Sequence, residues 1–255
     1  LLDATAGPDV GAPYFAPPPE QPFLTSLERP PKPLRIGLQT AAFNGAPVDP
    51  QCIDAATTTA TLCEQLGHHV QPWSLSLDAE SLSDATWVII AANVRATVMA
   101  QAEELGRDLR DDDLELGTWD LVRAAERFSA EDYARAVRTI HSAGRTVAHQ
   151  FEHVDIILSP TLACLPPELG TLSLSNPNRD AANAMLAQTI GFTQLFNVAG
   201  NPAMSVPLGW ATEQLPIGVQ FAGRYADEAT LLKLASTLED AAPWGERTPD
   251  LSLER

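Results

Sequence analysis

Lysine is nearly absent from this sequence. Of its 255 residues 16 are basic, and the lysines among them are Lys32 and Lys233 alone. Lys32 stands in the proline-rich "RPPKP" and Lys233 in an amphipathic helical pattern. Neither place offers the burial that would lower a lysine pKa enough to make a base. Positive charge is scarce in general: 33 acidic residues give a formal net charge of −17. No basic stripe or patch is present, which argues against a nucleic-acid partner, and the acidity reads as solubility. Cysteine is limited to Cys52, Cys63 and Cys164, with no C-x-x-C, so a cysteine zinc site is not expected. Cys52 and Cys63 fall in one helical pattern eleven residues apart, roughly 16 Å along a helix, too far for a disulfide. Reduced thiols point to the cytoplasm. No run of 18 apolar residues occurs and no signal peptide is recognisable, so neither a membrane helix nor secretion is expected. There is also no G-x-S-x-G elbow, no P-loop and no G-x-G-x-x-G.

What is present is 45% hydrophobic residues, ample for a core. The opening "LLDATAGPDVGAP" has no methionine and reads as a last helical turn entering a Gly-Pro loop, as though the chain began inside a larger fold. Residues 7–33 hold a dense proline cluster, expected as an extended crossing segment rather than helix. A punctuated unit spans 34–80. "LRIGL" is a strand, Asp49 an N-cap with Pro50 at the first helical position, and Ile53, Ala56, Ala60 and Cys63 recur at helical spacing. "HHVQPW" is the next strand, with His68 and His69 read as surface residues at its mouth. Strand, helix and strand with short joints predict a parallel βαβ unit. Residues 81–152 read as helical. One helix over 81–105 is expected to carry a break, a second covers "TWDLVRAAERF", and a third runs from Ser129 to about Glu152. Ser129 and Asp132 form a variant capping box, and Tyr133, Val137, Ile140, Gly144, Val147 and Phe151 define the buried face.

Residues 153–255 return to strands and a final helix. "VDIILSP" is a strand ending in a proline turn. In "AMSVPLGW", Met204, Val206 and Leu208 alternate with Ala203, Ser205 and Pro207. In "LPIGVQFAG", Ile217, Val219 and Phe221 alternate with Gly218, Gln220 and Ala222. These are antiparallel neighbours joined by "ATEQ", and Asp227 caps the helix that follows. His149 to His153 spells H-x-x-E-H, the order of one class of zinc peptidases. The two histidines would share a helical face, but His141, His149 and Glu152 lie off the apolar stripe, and exposed polar residues at a helix end are the ordinary reading; a zinc peptidase, which would need a third ligand such as Glu228, is the remaining alternative. No metal site is expected.

The block "FNVAGNPAMSVPLGW…LPIGVQFAGRYADEATLLKLASTLE" resembles the C-terminal signature of the amidase signature family. "VDIILSPT" resembles the family's D-x-x-L-x-P-T segment, "LLDATAGPDVGAP" its L-x-x-x-x-G-P-D, and "RIGL…VDP…LGHHV" its βαβ excursion. The resemblance covers essentially all 255 residues. "LGTWDLV", "PPELG" and "LEDAAPW" further resemble the aminohexanoate cyclic-dimer hydrolases. The resemblance implies an α/β fold: a mixed twisted sheet flanked by helices, with the βαβ unit as an excursion. It implies an amide hydrolase with a Ser–cis-Ser–Lys triad, an acyl-enzyme, no cofactor, and linear or cyclic aminohexanoate-type amides among its substrates. In the family the triad and the Gly/Ser-rich loop precede the "AGPD" element, so no catalytic residue is carried onto this chain. Its expected partners are a small-molecule amide and an upstream half of the same fold, with a homodimer as a further candidate assembly. The alternative from another class is a non-catalytic module that binds small amides.

Pocket candidates follow from strand ends and loops. Thr161 follows a proline at a strand end, and Cys164 lies in the proline-rich loop beyond it. Asn197 and Gly200 precede the strand at 203, and Gln220 points off its strand's apolar face. Asn93 is a lone amide in "WVIIAANV", and Trp119 lies in the second helix. The ordinary alternatives are loop capping for Asn197, a bond to a neighbouring strand for Gln220, and core packing for Trp119.

Overall fold

Asp49 starts the first long helix as its sequence requires. Its side chain accepts the backbone N–H of Gln51, and Pro50 occupies the first turn. In the computed structural model, which describes residues 1–212 and 214–247, this helix, α3 (Pro50–Gln65), joins strands β1 (Arg35–Leu38) and β2 (His69–Pro72). The two strands pair in parallel, Ile36 opposite Val70, so the βαβ expectation holds. Two short helices precede them, α1 (Leu2–Thr5) and α2 (Phe23–Ser26). The second is a correction to the all-extended reading of residues 7–33. Pro22, still extended at φ −51° and ψ 140°, is its N-cap, Phe23 is buried, and Asp3 carboxylate oxygens accept the N–H groups of Phe23 and Leu24 at 2.6 and 2.9 Å.

Three helices follow: α4 (Ala79–Leu105), α5 (Leu116–Ala125) and α6 (Ala130–Gln150). The expected break in α4 is not there. Its 27 residues contain neither proline nor glycine, so nothing interrupts the backbone ladder. The helix runs from the Asp78 cap to Gly106, whose left-handed φ of 65° closes it. α6 opens on the Ser129–Asp132 capping box as expected. It ends at Gln150, so His153 falls in the turn beyond and does not share a helical face with His149, another correction.

Strand β3 (Ile156–Pro160), helices α7 (Arg179–Thr189) and α8 (Gln194–Ala199), strands β4 (Ala203–Trp210) and β5 (Pro216–Ala222) and helix α9 (Glu228–Ala241) complete the chain. The sheet order is β2-β1-β3-β5-β4. β1 and β3 are parallel, whereas β5 runs antiparallel to both β3 and β4. Of the expected "ATEQ" joint between β4 and β5, Glu213 lies outside the described residues.

Alternation along the strands divides the core. One sheet face carries Ile36, Ile156, Leu158, Val219 and Phe221, packed on α3 and α9 through Cys52, Ala56, Leu231 and Leu234. The other carries Ile157 and Ala222, covered by Leu82, Val147, Leu195 and Phe196 from α4, α6 and α8. Each such large side chain contributes about 1.5–3 kcal/mol by leaving water. Cover is incomplete at β4, an edge strand on which Ala203 and Ser205 are exposed. His68 corrects the surface reading: it is 7% exposed, and its Nδ1 accepts the Leu34 N–H at 3.1 Å.

Candidate functional site

The register of three strands builds a polar row on the face under α4, α6 and α8, open at its β4 end. Ser159 of β3 and Ser205 of β4 both stand opposite Gln220 of β5. Residues paired across antiparallel strands present their side chains to one face, so all three project together. Gln220 is buried, and its amide nitrogen donates to Ser159 Oγ at 3.2 Å and to the Phe192 carbonyl at 3.1 Å. Ser159 donates onward to the Pro160 carbonyl at 2.9 Å. The Gln220 amide is thereby fixed in orientation, and its link to Ser159 is the cross-strand bond named as its ordinary alternative.

One step along, at the end of β3, Thr161 Oγ1 and Ser205 Oγ stand 2.7 Å apart. The Thr161 N–H donates to the Gly218 carbonyl at 3.0 Å. Gly218 makes room for the pair, since a Cβ there would lie 2.6 Å from Ser205 Oγ and 2.9 Å from Thr161 Oγ1. Thr161 is half-buried and Ser205 exposed, so two coupled hydroxyls form an accessible shelf. One hydroxyl spends its single proton in this bond, so the pair keeps one free O–H and accepting lone pairs on both oxygens, which suits the C=O and N–H of an amide. Among the described residues no lysine, histidine or carboxylate bonds to either hydroxyl, so neither is activated as a nucleophile. Both lysines line a different cavity beside α2 and α9, and α9 covers the opposite face of the sheet.

With Cys52, Leu162 and Gly218, Cys164 lines a separate cleft of about 20 Å³. Burial and then the Asp49 carboxylate push its thiol pKa up, and its Sγ lies 3.9 Å from Met185 Sδ. Thr161 and Gln220 are therefore brought together through Ser205, whereas Cys164 lies in its own cleft with Cys52 and shares only Gly218 with the shelf. Asn197 and Gly200 are not in this group. Asn197 is exposed on α8, and Gly200 closes that helix with φ 76°. Asn93 and Trp119 also stand apart, on α4 and α5. Asn93 bonds to the Ile89 carbonyl and Tyr133, while the Trp119 indole N–H donates to the Asp111 carbonyl under the Arg123 guanidinium. Ser205 and Gly218 were missed as site residues in the sequence. The signal was there: alternation put both on the Gln220 face, and antiparallel pairing then set Ser205 opposite Gln220.

The other end of β3 carries charge. Arg35 forks onto Asp155 at 2.9 and 3.2 Å, and Arg224 reaches the same carboxylate at 2.7 Å. Burial pushes the Asp155 pKa up, but the Arg35 hydrogen bonds and the charges of Arg35 and Arg224 outweigh it, leaving the net shift downward. This network pins β1, β3 and the turn after β5. In the H-x-x-E-H segment, His149 Nδ1 pairs with Glu152 at 2.9 Å on the exposed surface.

Comparison with known proteins gives this geometry its context. A family model described as Amidase matches residues 1–232. The 6-aminohexanoate-cyclic-dimer hydrolase of Paenarthrobacter ureafaciens is 32% identical over 261 residues, covering 98% of this chain and 52% of that protein. The structure of a 6-aminohexanoate cyclic dimer hydrolase superposes with a TM-score of 0.86 at 30% identity, over 98% of this chain and 53% of that one. A bacterial aryl acylamidase of the amidase signature family shares the fold, with a TM-score of 0.79 at 24% identity over 93% of this chain and 49% of that one. The chain spans about half the length of the curated relatives it matches. With the family model matched over most of its residues, the chain belongs to the amidase signature family.

Proposed function

We propose that this chain is part of an amide hydrolase and supplies one wall of its substrate pocket. The observation that carries the reading is the Thr161–Ser205 hydroxyl pair, held at a strand end beside Gly218 and the fixed Gln220 amide, in a chain of this family. The shelf orients an amide and does not attack it. Its hydroxyls lack the adjacent base that a serine nucleophile requires. The nucleophile, bridging serine and lysine are then contributed from outside these 255 residues, by further sequence or a second chain. The acyl-enzyme forms on that serine, the amine leaves, and water releases the acid. Backbone N–H groups at the nucleophile stabilise the tetrahedral oxyanion. Relatives named as aminohexanoate cyclic-dimer hydrolases, one solved with its substrate, suggest aliphatic linear or cyclic amides as the class to test first. The three free thiols support a cytoplasmic location.

The test combines the intact protein with 6-aminohexanoate cyclic dimer and follows amine release and acylation by mass spectrometry. Turnover with the acyl group on a serine outside residues 1–255 is the expected result. Acylation of a serine within this chain, with turnover by this chain alone, refutes the assignment. Stable binding of the dimer by the intact protein without turnover would support the non-catalytic alternative instead.

A further inference from the structure

Helices α6 and α8 wall a second cavity, of about 760 Å³, that shares no residue with the Thr161 shelf. Its floor is apolar: Ile140, Ala148 and Phe151 from α6, and Val198 and Ala199 from α8. At Gly144 a Cβ would already touch Ala199, 3.8 Å from its Cα, so a bulky side chain there would part the helices. The rim carries two arginines, an imidazole and a phenol. His141 and Arg145 are one turn apart on the exposed side of α6, and Arg224 and Tyr225 face them from the turn after β5.

The state of these charges is informative. Arg145 has no ion-pair or side-chain hydrogen-bond partner among the described residues. Arg224 spends one guanidinium nitrogen on Asp155 at 2.7 Å, which leaves other donors of its fork for a ligand. Glu152, the carboxylate in the lining, is held by His149 at 2.9 Å. Two arginines against one engaged carboxylate, over an apolar floor, run against a chain of net charge −17.

We infer that this groove binds an anionic amphiphile: a monocarboxylate on a short aliphatic chain. The planar carboxylate matches the Arg145 fork, with Arg224 and His141 beside it. The chain lies along Phe151 and Val198, where it leaves water. The inference uses no residue of the amide-hydrolase reading and stands or falls apart from it.

The test is calorimetric titration of the intact protein with hexanoate, and with hexylamine as the cationic counterpart. Hexanoate is expected to saturate a site that hexylamine does not. Arg145→Gln weakens that site by about tenfold or more, as loss of a charge-assisted pair does. Ala148→Trp fills the groove and removes the site. Both positions are exposed on this chain, and thermal melts of the two variants, run beside the titrations, separate loss of the site from loss of the fold. Amide hydrolysis, measured in parallel, is unchanged in both, which separates this site from any carboxylate bound at the active centre. The inference is overturned if the intact protein shows no saturable hexanoate binding. It is equally overturned if hexylamine competes, or if both variants leave the isotherm unaltered.

Discussion

Replacing Gly218 by alanine probes the hydroxyl shelf. The new Cβ would lie 2.6 Å from Ser205 Oγ, 2.9 Å from Thr161 Oγ1 and 3.3 Å from Thr161 Cβ, the first two inside the 3.0 Å that real Cβ contacts respect. Ser205 is exposed and can rotate away. Thr161 is β-branched and stiff at χ1, so it has to shift bodily. Losing the Thr161–Ser205 bond costs about 0.5–1.5 kcal/mol. Crowding of Thr161 adds about 1–3 kcal/mol. The stiffer unfolded chain of an alanine variant returns about 0.4–1 kcal/mol. The net expectation is a loss of about 0.5–4 kcal/mol, centred on about 2 kcal/mol, read in urea melts of the intact protein. Ser205→Ala alone removes the bond and costs about 1 kcal/mol. In the double variant the closest clashing atom is gone and the bond is lost only once. Its destabilisation therefore falls short of the sum of the single changes by about 0.5–1.5 kcal/mol. If Gly218→Ala melts like the parent, or if the two changes simply add, the hydroxyls are not packed against Gly218 as described.

His68 makes stability pH-dependent. Burial, and then the charge of His69, lowers its pKa from the ordinary 6.5, so on acidification the unfolded chain takes up that proton before the folded one. The stabilisation is whole above about pH 6.5 and is lost as pH falls below it towards the lower folded-state value. His68→Leu abolishes that slope and, by leaving the Leu34 N–H unpaired, costs about 1–3 kcal/mol at neutral pH; an unchanged pH profile contradicts the burial. Burial, reinforced by Asp49 and Cys164, pushes the Cys52 thiol up to about 11, and burial with Glu64 pushes Cys63 to about 12. Thiol titration of native protein at pH 8 is therefore expected to label Cys164 slowly and the other two only after denaturation; fast labelling of Cys63 would count against the packing of α3. Expressed by itself, this chain presents the β4 edge and exposed apolar residues such as Trp87, Ile90 and Leu169, an invitation to edge pairing. Aggregation or dye binding typical of a molten state is expected, and a sharp cooperative melt of a monomer at high concentration would contradict it.

Local chemistry was legible wherever the deciding partner is a near neighbour in sequence. Asp49 with Gln51, Ser129 with Asp132 and Asp227 with Thr230 each complete a cap within three residues. Alternation in 203–210 and 216–222 told which side chains share a face, and the run of family motifs gave the fold. Errors arose where distant segments decide. A proline-rich stretch became helical at Phe23 because Asp3 caps it from 20 residues away. His68 left the surface because its ring meets Leu34, 34 residues back. Thr161 and Ser205, 44 residues apart, became one site only through β5, which lies between their strands and sets their register. Sequence by itself thus determined the βαβ unit, the long helices with their caps, the buried face of each strand and the family, but not helices α2, α7 and α8, which lie in stretches read as extended crossing, strand or loop. The tertiary structure alone decided which polar groups meet, because register and helix packing are set by long-range burial, and a single-residue slip would turn Gln220 and Ser205 to the other face.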